Sequence, residues 1–404
     1  MNLNNKGIRK SLILSAATGL AIGAAGVAGV GAASAATGVQ AAATKSLTYN
    51  CTYPLIGSRS VKVDIDTNVP SKLGVGQYTN DIQIKFKATL GADTTDGLKA
   101  VGGASIAGAA NAKAAVQGPG QNVSVNVNNA FPETKIPDSG SFTLEGYGEA
   151  PAIGFDQAGH VTAALTSMEF TVLVKKADGS PSALGEFKAP CTLASGQDAT
   201  IVSADIVQGD QPLGDPWQKP SYFPYQATGA KTGTLNYGFN LNGSSYIKGP
   251  NGTVPINGGI NVAVDGGSGA ITGQLNLQKT KGMMSILGFL PVEATVDFQQ
   301  VGDTVGTFAN GQIKTTSTMY IKLPSFTLFG IPLGGGDQCR AKDPSKIQMQ
   351  SNDGVFFNPL VGGPFKAPNY SIAELENCGL INGILSIFAS QSGNTIDLKL
   401  SPKA

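Results

Sequence analysis

Leu235-Asn236-Tyr237-Gly238-Phe239-Asn240-Leu241-Asn242-Gly243 sets four large apolar side chains two residues apart and ends in an Asn-Gly pair. A period of two puts Leu235, Tyr237, Phe239 and Leu241 on one face of an extended strand. Asn-Gly supplies the positive φ of a tight hairpin turn, so a turn is expected at Asn242-Gly243. The same grammar continues on both sides. Downstream, Asn251-Gly252 and Asn257-Gly258-Gly259 read as turns, and Ile260, Val262 and Val264 alternate up to Asp265-Gly266-Gly267. Further strands are expected over 292–298, 312–323 and 395–400. Upstream, Val61, Val63 and Ile65, then Ile82, Ile84 and Phe86, then Val123, Val125 and Val127 alternate in the same way. Residues 170–174 lead into Ala177-Asp178-Gly179, with a returning strand over 184–191. Turn signals recurring every ~8–12 residues mark an all-β sandwich or barrel. The alanine-rich stretch 98–115 is interrupted by Gly102, Gly103 and Gly108, against a long helix there. A short helix or turn fits 374–388, near Cys378.

Composition bounds the rest. Of 404 residues, 54 are glycine and only 14% are charged, with 28 basic against 27 acidic side chains and one histidine. Near-neutrality speaks against nucleic acid or a polybasic membrane contact as partner. Residues 1–35 read as a secretory signal peptide: Lys6, Arg9 and Lys10 precede an uncharged Ala/Gly/Leu/Ile run that ends in Ala33-Ser34-Ala35. Cleavage there leaves 25 basic against 27 acidic residues, a net charge of −2. No transmembrane span is expected afterwards, and irregular strands without a repeating lipid-facing band disfavour an outer-membrane barrel. The expected location is extracellular, with association to the cell envelope left open.

Residues 207–230 carry Pro212, Pro216, Pro220 and Pro224 with Trp217, Tyr222, Phe223 and Tyr225, a stiff connection between two domains. The aromatics are expected to pack between the domains, an exposed sugar- or peptide-stacking surface being the alternative. The expected division is a short disordered segment over 36–46, a first domain over 47–206, the linker over 207–230 and a second domain over 231–404. The four cysteines allow three pairings. A division near residue 220 leaves one pair per half, Cys51–Cys191 and Cys339–Cys378, and an oxidising compartment favours both bridges.

Tyr49-Asn-Cys51-Thr-Tyr53-Pro-Leu-Ile-Gly57, followed by an alternating strand, Val69-Pro70 and Val75-Gly76, resembles a domain of uncharacterised function in secreted actinobacterial proteins. The second half looks like a companion module, through Pro291 to Val296, Gly302 to Gly306, Phe357-Asn358-Pro359-Leu360 and Asn377-Cys378-Gly379. The resemblance implies that the Cys-x-Tyr-Pro strand opens a β-sandwich, and it implies no catalytic residues. The expected fold is therefore all-β, with two immunoglobulin-like or related antiparallel β-sandwich domains after the signal peptide.

Chemistry finds little footing. His160, in Asp156-Gln-Ala-Gly159-His160, has no nucleophile motif to serve, since no G-x-S-x-G occurs. It reads as a turn histidine. Asp64, Asp66, Glu145 and Glu169 are the carboxylates considered for glycoside hydrolysis, with nothing in the sequence to pair them. Asp93-Thr-Thr-Asp96-Gly97 lacks the remaining ligands of a calcium loop, and no phosphate or dinucleotide fingerprint is present. No cofactor or metal is expected. Two uncharged runs stand apart. Met283, Met284, Leu287 and Phe289 lie in one, Phe326 and Phe329 in the other. Core strands and turns are the commoner use of such runs, with an apolar ligand pocket or a lipid surface as alternatives. The expected function is a secreted or cell-surface, non-catalytic structural or adhesion module binding an unknown extracellular or cell-envelope component. The alternatives are a carrier of an apolar ligand or lipid and a secreted carboxylate-dependent hydrolase.

Overall fold

The structure is a computed structural model that describes residues 44–379 and 382–403. The expected signal peptide lies outside the described residues. Strands make up 61% of the chain and helices 5%, so the all-β expectation holds. The first half contains β1 (Lys45–Tyr53), β2 (Gly57–Thr67), β3 (Lys72–Gly74), β4 (Ile82–Leu90), α1 (Ala92–Ala100) and β5 (Ser105–Gly118). It continues with β6 (Gln121–Lys135), β7 (Phe142–Ala150), β8 (Gly159–Lys175), β9 (Pro181–Leu193) and β10 (Thr200–Val207). The second half contains β11 (Thr234–Ile247), β12 (Gly252–Asp265), β13 (Ala270–Leu277), β14 (Thr280–Ile286), β15 (Leu290–Gln300) and β16 (Thr304–Ala309). Then follow β17 (Gln312–Leu328), β18 (Ile331–Gly334), β19 (Arg340–Ala341), β20 (Ser345–Ser351), β21 (Gly363–Tyr370), β22 (Leu375–Glu376), α2 (Asn382–Ala389) and β23 (Asn394–Pro402). Lys45 and Ser46 already pair with Ile65 and Asp64, so order begins before the end of the expected 36–46 segment.

Neither half forms the expected pair of stacked immunoglobulin-like sheets. In the first, β8-β5-β6-β7-β4-β2-β1-β9 pair in sequence and β9 returns to β8, which closes an eight-stranded barrel. In the second, pairing runs β11-β23-β21-β20-β17-β16-β13-β12 and β12 returns to β11, so this sheet also closes on itself. Closure removes the edge strands that a sandwich leaves open. Strand length is the physical reason. β8 pairs with β10 through its first half and with β9 through its second, and β17 pairs with both β15 and β16 at different heights. A strand that changes neighbours part-way joins what a shorter strand would leave as two sheets.

Glycines mark the tight places. Asn242-Gly243 and Gly258-Gly259, expected as turns, lie inside the long β11–β12 ladder, where Gly243 pairs with Ile256 and Gly258 with Leu241. A Cβ on Gly243 would run into Asp397 O, and one on Gly258 into Asn276 O. These glycines admit close backbone approach around a curved wall rather than positive φ. The turn itself falls at Asn251, whose φ is 43°. The alanine-rich stretch divides similarly. Its first residues end α1, a turn follows over 101–104, and the rest form β5, a strand paired on both sides whose Gly108 would collide with Thr171 O if it carried a side chain.

Both disulfides form as the half-by-half division predicts, Cys51–Cys191 and Cys339–Cys378. The first joins directly opposed residues of β1 and β9, a seam of only three residue pairs. The two sheets share one apolar cluster. Gly311 N donates to Leu55 O at 2.7 Å and Tyr237 OH to Ala100 O at 2.9 Å.

The proline-rich connection does not pack its aromatics between the halves. It lies along β4 and β7 of the first barrel. Gln83 Nε2 donates to Trp217 O at 2.9 Å, Phe223 meets Tyr147 edge-on at 5.3 Å, and Lys219 pairs with Glu149 at 2.6 Å.

Candidate functional site

One end of the second barrel gathers most of the apolar residues that the sequence sets apart. β14 and β15 pair Ile286 with Leu290 around Leu287-Gly288-Phe289. β17 and β18 pair Leu328 with Ile331 around Phe329-Gly330. Val292 pairs with Leu328, and Phe329 N donates to Pro291 O at 3.4 Å, so the two turns stand side by side. α2 lies at the same end. Leu385 and Phe388 face inward beside Met284 and Ile286, while Ile384 and Ile387 are exposed.

The turns break a local rule. Leu287 (φ 55°) and Gly288 (φ 80°) are consecutive positive-φ residues, as are Phe329 (φ 49°) and Gly330 (φ 79°). The chain builds the same type of turn with Asn310-Gly311 between β16 and β17, the residue pair such turns prefer. Asn tolerates the left-handed region by bonding locally, whereas a bulky side chain is disfavoured there. Yet Leu287 and Phe329 occupy it with 65% and 66% of their surface in solvent, and Phe289 is 71% exposed. No folding benefit accounts for large apolar side chains at such positions.

Met283 is also exposed, as are Ile331 and Leu333. No charged residue occurs over 282–292, 323–336 or 377–396. The nearest charges on the first hairpin are Lys281 and Glu293, which pair with each other at 2.8 Å. The expectation of core packing therefore fails for Met283, Leu287, Phe289 and Phe329, which point outward. It holds for Phe326 and in part for Met284.

Beneath the tips, Met284 and Phe326 line a cavity of about 50 Å³ with Ile286, Val292, Leu385 and Phe388. A second, of about 70 Å³, lies deeper in the same barrel among Phe239, Phe308, Met319 and Leu398. A cavity of ~150 Å³ is the scale that admits benzene. Neither chamber holds an acyl chain in this conformation.

Cys339–Cys378 bears directly on this end. Cys339 follows β18 by five residues and Cys378 precedes α2 by four. The bridge thus ties the second hairpin to the helix. Arg340 reinforces it, pairing with Glu376 at 3.1 Å and lying over the Tyr320 ring.

His160 has partners that the sequence did not disclose. Its Nδ1 lies 2.9 Å from Asp205 Oδ1 and its Nε2 3.1 Å from Ser203 Oγ. Asp205 is the cross-strand partner of His160, and Ser203 shares its face of β10. The order of atoms is that of an acid–histidine–serine relay. However, the three stand on an exposed strand face and none lines a cavity described here. A relay without a cleft lacks the positioning and the shielded oxyanion donors that provide most of the rate. The four carboxylates considered for hydrolysis do not share a cleft. Asp64 accepts from Ser46 and pairs with Lys62, Glu145 pairs with Lys87, Glu169 with Lys188, and Asp66 accepts from Thr44. Among the described residues no three His, Cys, Asp or Glu side chains gather as metal ligands do, and no helix is long and apolar enough to cross a membrane.

No curated protein and no solved structure matches the chain. Residues 48–202 are similar to a family described as "Family of unknown function (DUF6801)", a stretch that takes in β1 from residue 48 and the other seven strands of the first barrel in full.

Proposed function

We propose that the protein is an exported, non-catalytic binding protein that attaches to a lipid surface through the apolar end of its second barrel. The observation that carries this reading is the placement of Leu287 and Phe329, about two-thirds exposed, at turn positions that favour Asn or Gly. Large apolar residues that break local rules without a folding gain belong to functional sites. The end is made of two adjacent turns with exposed apolar side chains, which suits entry into a deformable headgroup layer. Ile384 and Ile387 of the uncharged α2 extend the same surface. Interfacial segments of this kind bury apolar side chains ~5–10 Å into the headgroup and acyl boundary.

The disulfide between Cys339 and Cys378 and the paired strands hold the contact residues in place before binding, which lowers the ordering cost of association. Exposed apolar turns are a liability for a soluble protein unless they are covered. The test is flotation of the mature, oxidised protein with phosphatidylcholine vesicles at low and high salt. Co-flotation that persists at high salt supports the reading. Failure to float, or flotation only with anionic vesicles at low salt, refutes it.

A further inference from the structure

The first barrel carries a separate site. β6 pairs with β7 only through Asn128, Asn129 and Ala130, and its earlier residues diverge from β7 while remaining paired with β5. The divergence opens a groove of about 890 Å³, whose far wall is the connecting segment at Phe223, Pro224 and Tyr225. Ser124, Asn126 and Asn128 alternate along β6 and present their side chains on one exposed face, ~7 Å apart along the strand. The pairs Ala109–Ala130 and Ala112–Val127 bring Asn111 of β5 opposite Asn128. Each amide offers two donors and an acceptor.

Two polar atoms behind this wall have no partner among the described residues and no surface open to the groove. Asn129 is 7% exposed, and its Nδ2 donates to Ala110 O at 2.6 Å, while its Oδ1 is unpaired. Tyr225 OH is likewise buried and unpaired. Closed to the groove, these two atoms are not offered to a ligand; the exposed Ser124, Asn126, Asn128 and Asn111 side chains are. Asp81 and Glu149 are the charged residues of the lining, and Glu149 is already held by Lys219 and Tyr147. The lining has no cation to attract a polyanion and too many amides for an apolar guest.

We infer that this groove binds a neutral, hydroxyl-rich glycan, with the amides of β6 and β5 bonding ring hydroxyls and the Phe223 and Tyr225 rings packing against the sugar's apolar C–H face. Both rings line the groove and are partly exposed, with Lys219 over the Phe223 ring at 4.9 Å. The alternative occupant, an extended peptide paired along the open edge of β6, is an outcome of the same test.

The test is affinity electrophoresis and calorimetry of the whole mature protein with soluble glucan, mannan, galactan and chitin oligomers, alongside a library of unstructured peptides. At least one glycan is expected to bind. Asn126→Ala combined with Asn128→Ala, both exposed, should weaken it at least tenfold without lowering the melting temperature. Tyr225→Ala should weaken it about tenfold, because the ring that the sugar packs against is gone. No retention by any glycan, retention indifferent to all three substitutions, or a peptide competing for the same residues overturns the inference. Vesicle flotation of these variants remains unchanged, which keeps this test separate from that of the apolar end.

Discussion

Replacing Leu287 and Phe329 together by Asn separates lipid contact from folding. Both residues sit at positive φ, and Asn occupies the equivalent position at Asn310. The substitution therefore removes apolar surface and improves the backbone fit at once. Full burial of a Leu or Phe side chain contributes about 1.5–3 kcal/mol. With 65% and 66% of these side chains exposed and available for transfer, each contributes about 1–2 kcal/mol to partitioning. The pair contributes about 2–4 kcal/mol, or roughly thirtyfold to several-hundredfold in the vesicle partition coefficient. Neither side chain packs in the core, so the melting temperature stays level or rises slightly. Vesicle titration followed by sedimentation measures the first quantity and thermal unfolding by circular dichroism the second. Unchanged partitioning with a lowered melting temperature would refute the reasoning, because it would make the two residues part of the fold.

Removing Cys339–Cys378 by paired Ser substitution is expected to cost about 4 kcal/mol in the chain-entropy account, given a separation of 39 residues, and to weaken vesicle binding as well. Removing Cys51–Cys191, with a separation of 140, costs about 5 kcal/mol but leaves the vesicle affinity of the folded fraction intact. Chemical denaturation and flotation of both variants check the contrast. At high pH, burial raises Tyr49, Tyr225, Tyr237 and Tyr370 to about 12, and burial followed by the Glu149 hydrogen bond does the same for Tyr147. The raised values favour the neutral phenols in the folded state. Their stabilisation is complete below the unfolded value of ~10 and disappears as pH rises towards 12. Melting temperature and tyrosinate absorbance should change together in that window, and tyrosinate appearing well before unfolding would contradict it. Ser203 should resist a fluorophosphonate probe, since His160 and Asp205 serve it without a cleft. Labelling abolished by Ser203→Ala would establish catalysis and end the non-catalytic reading.

The legible part of the fold was what local chemistry dictates. Alternation located β2, β4, β6, β11, β12 and β15, and Ala177-Asp178-Gly179 located the β8–β9 turn. The cysteine partition gave both bridges. Closure was not legible, because it depends on where long strands such as β8 and β17 change neighbours, and nothing local specifies that. The glycines of Asn242-Gly243 and Gly258-Gly259 misled for a related reason. A turn glycine and a glycine cleared for a neighbouring strand look alike until the neighbour is known.

The two apolar runs were visible as sequence, but their orientation rested on the turn at Leu287-Gly288 and Phe329-Gly330, whose Gly carried the only local hint. The Ser203–His160–Asp205 arrangement and the groove along β6 arise from cross-strand register and from the path of the 207–230 segment. Both are tertiary facts. The aromatic cluster of that segment, expected between the halves, instead lines the groove with Phe223 and Tyr225.

Insertion depth tests the central claim most directly. Phe329→Trp places an indole at the second tip, and Tyr78→Trp places one on an exposed site of the first barrel. Each variant is bound to phosphatidylcholine vesicles carrying bromine at defined acyl positions, with Trp217→Phe removing the native indole. The account predicts strong quenching of the tip indole by shallow bromines and none of the indole at position 78. Equal exposure of both indoles to water in the vesicle-bound state would contradict it.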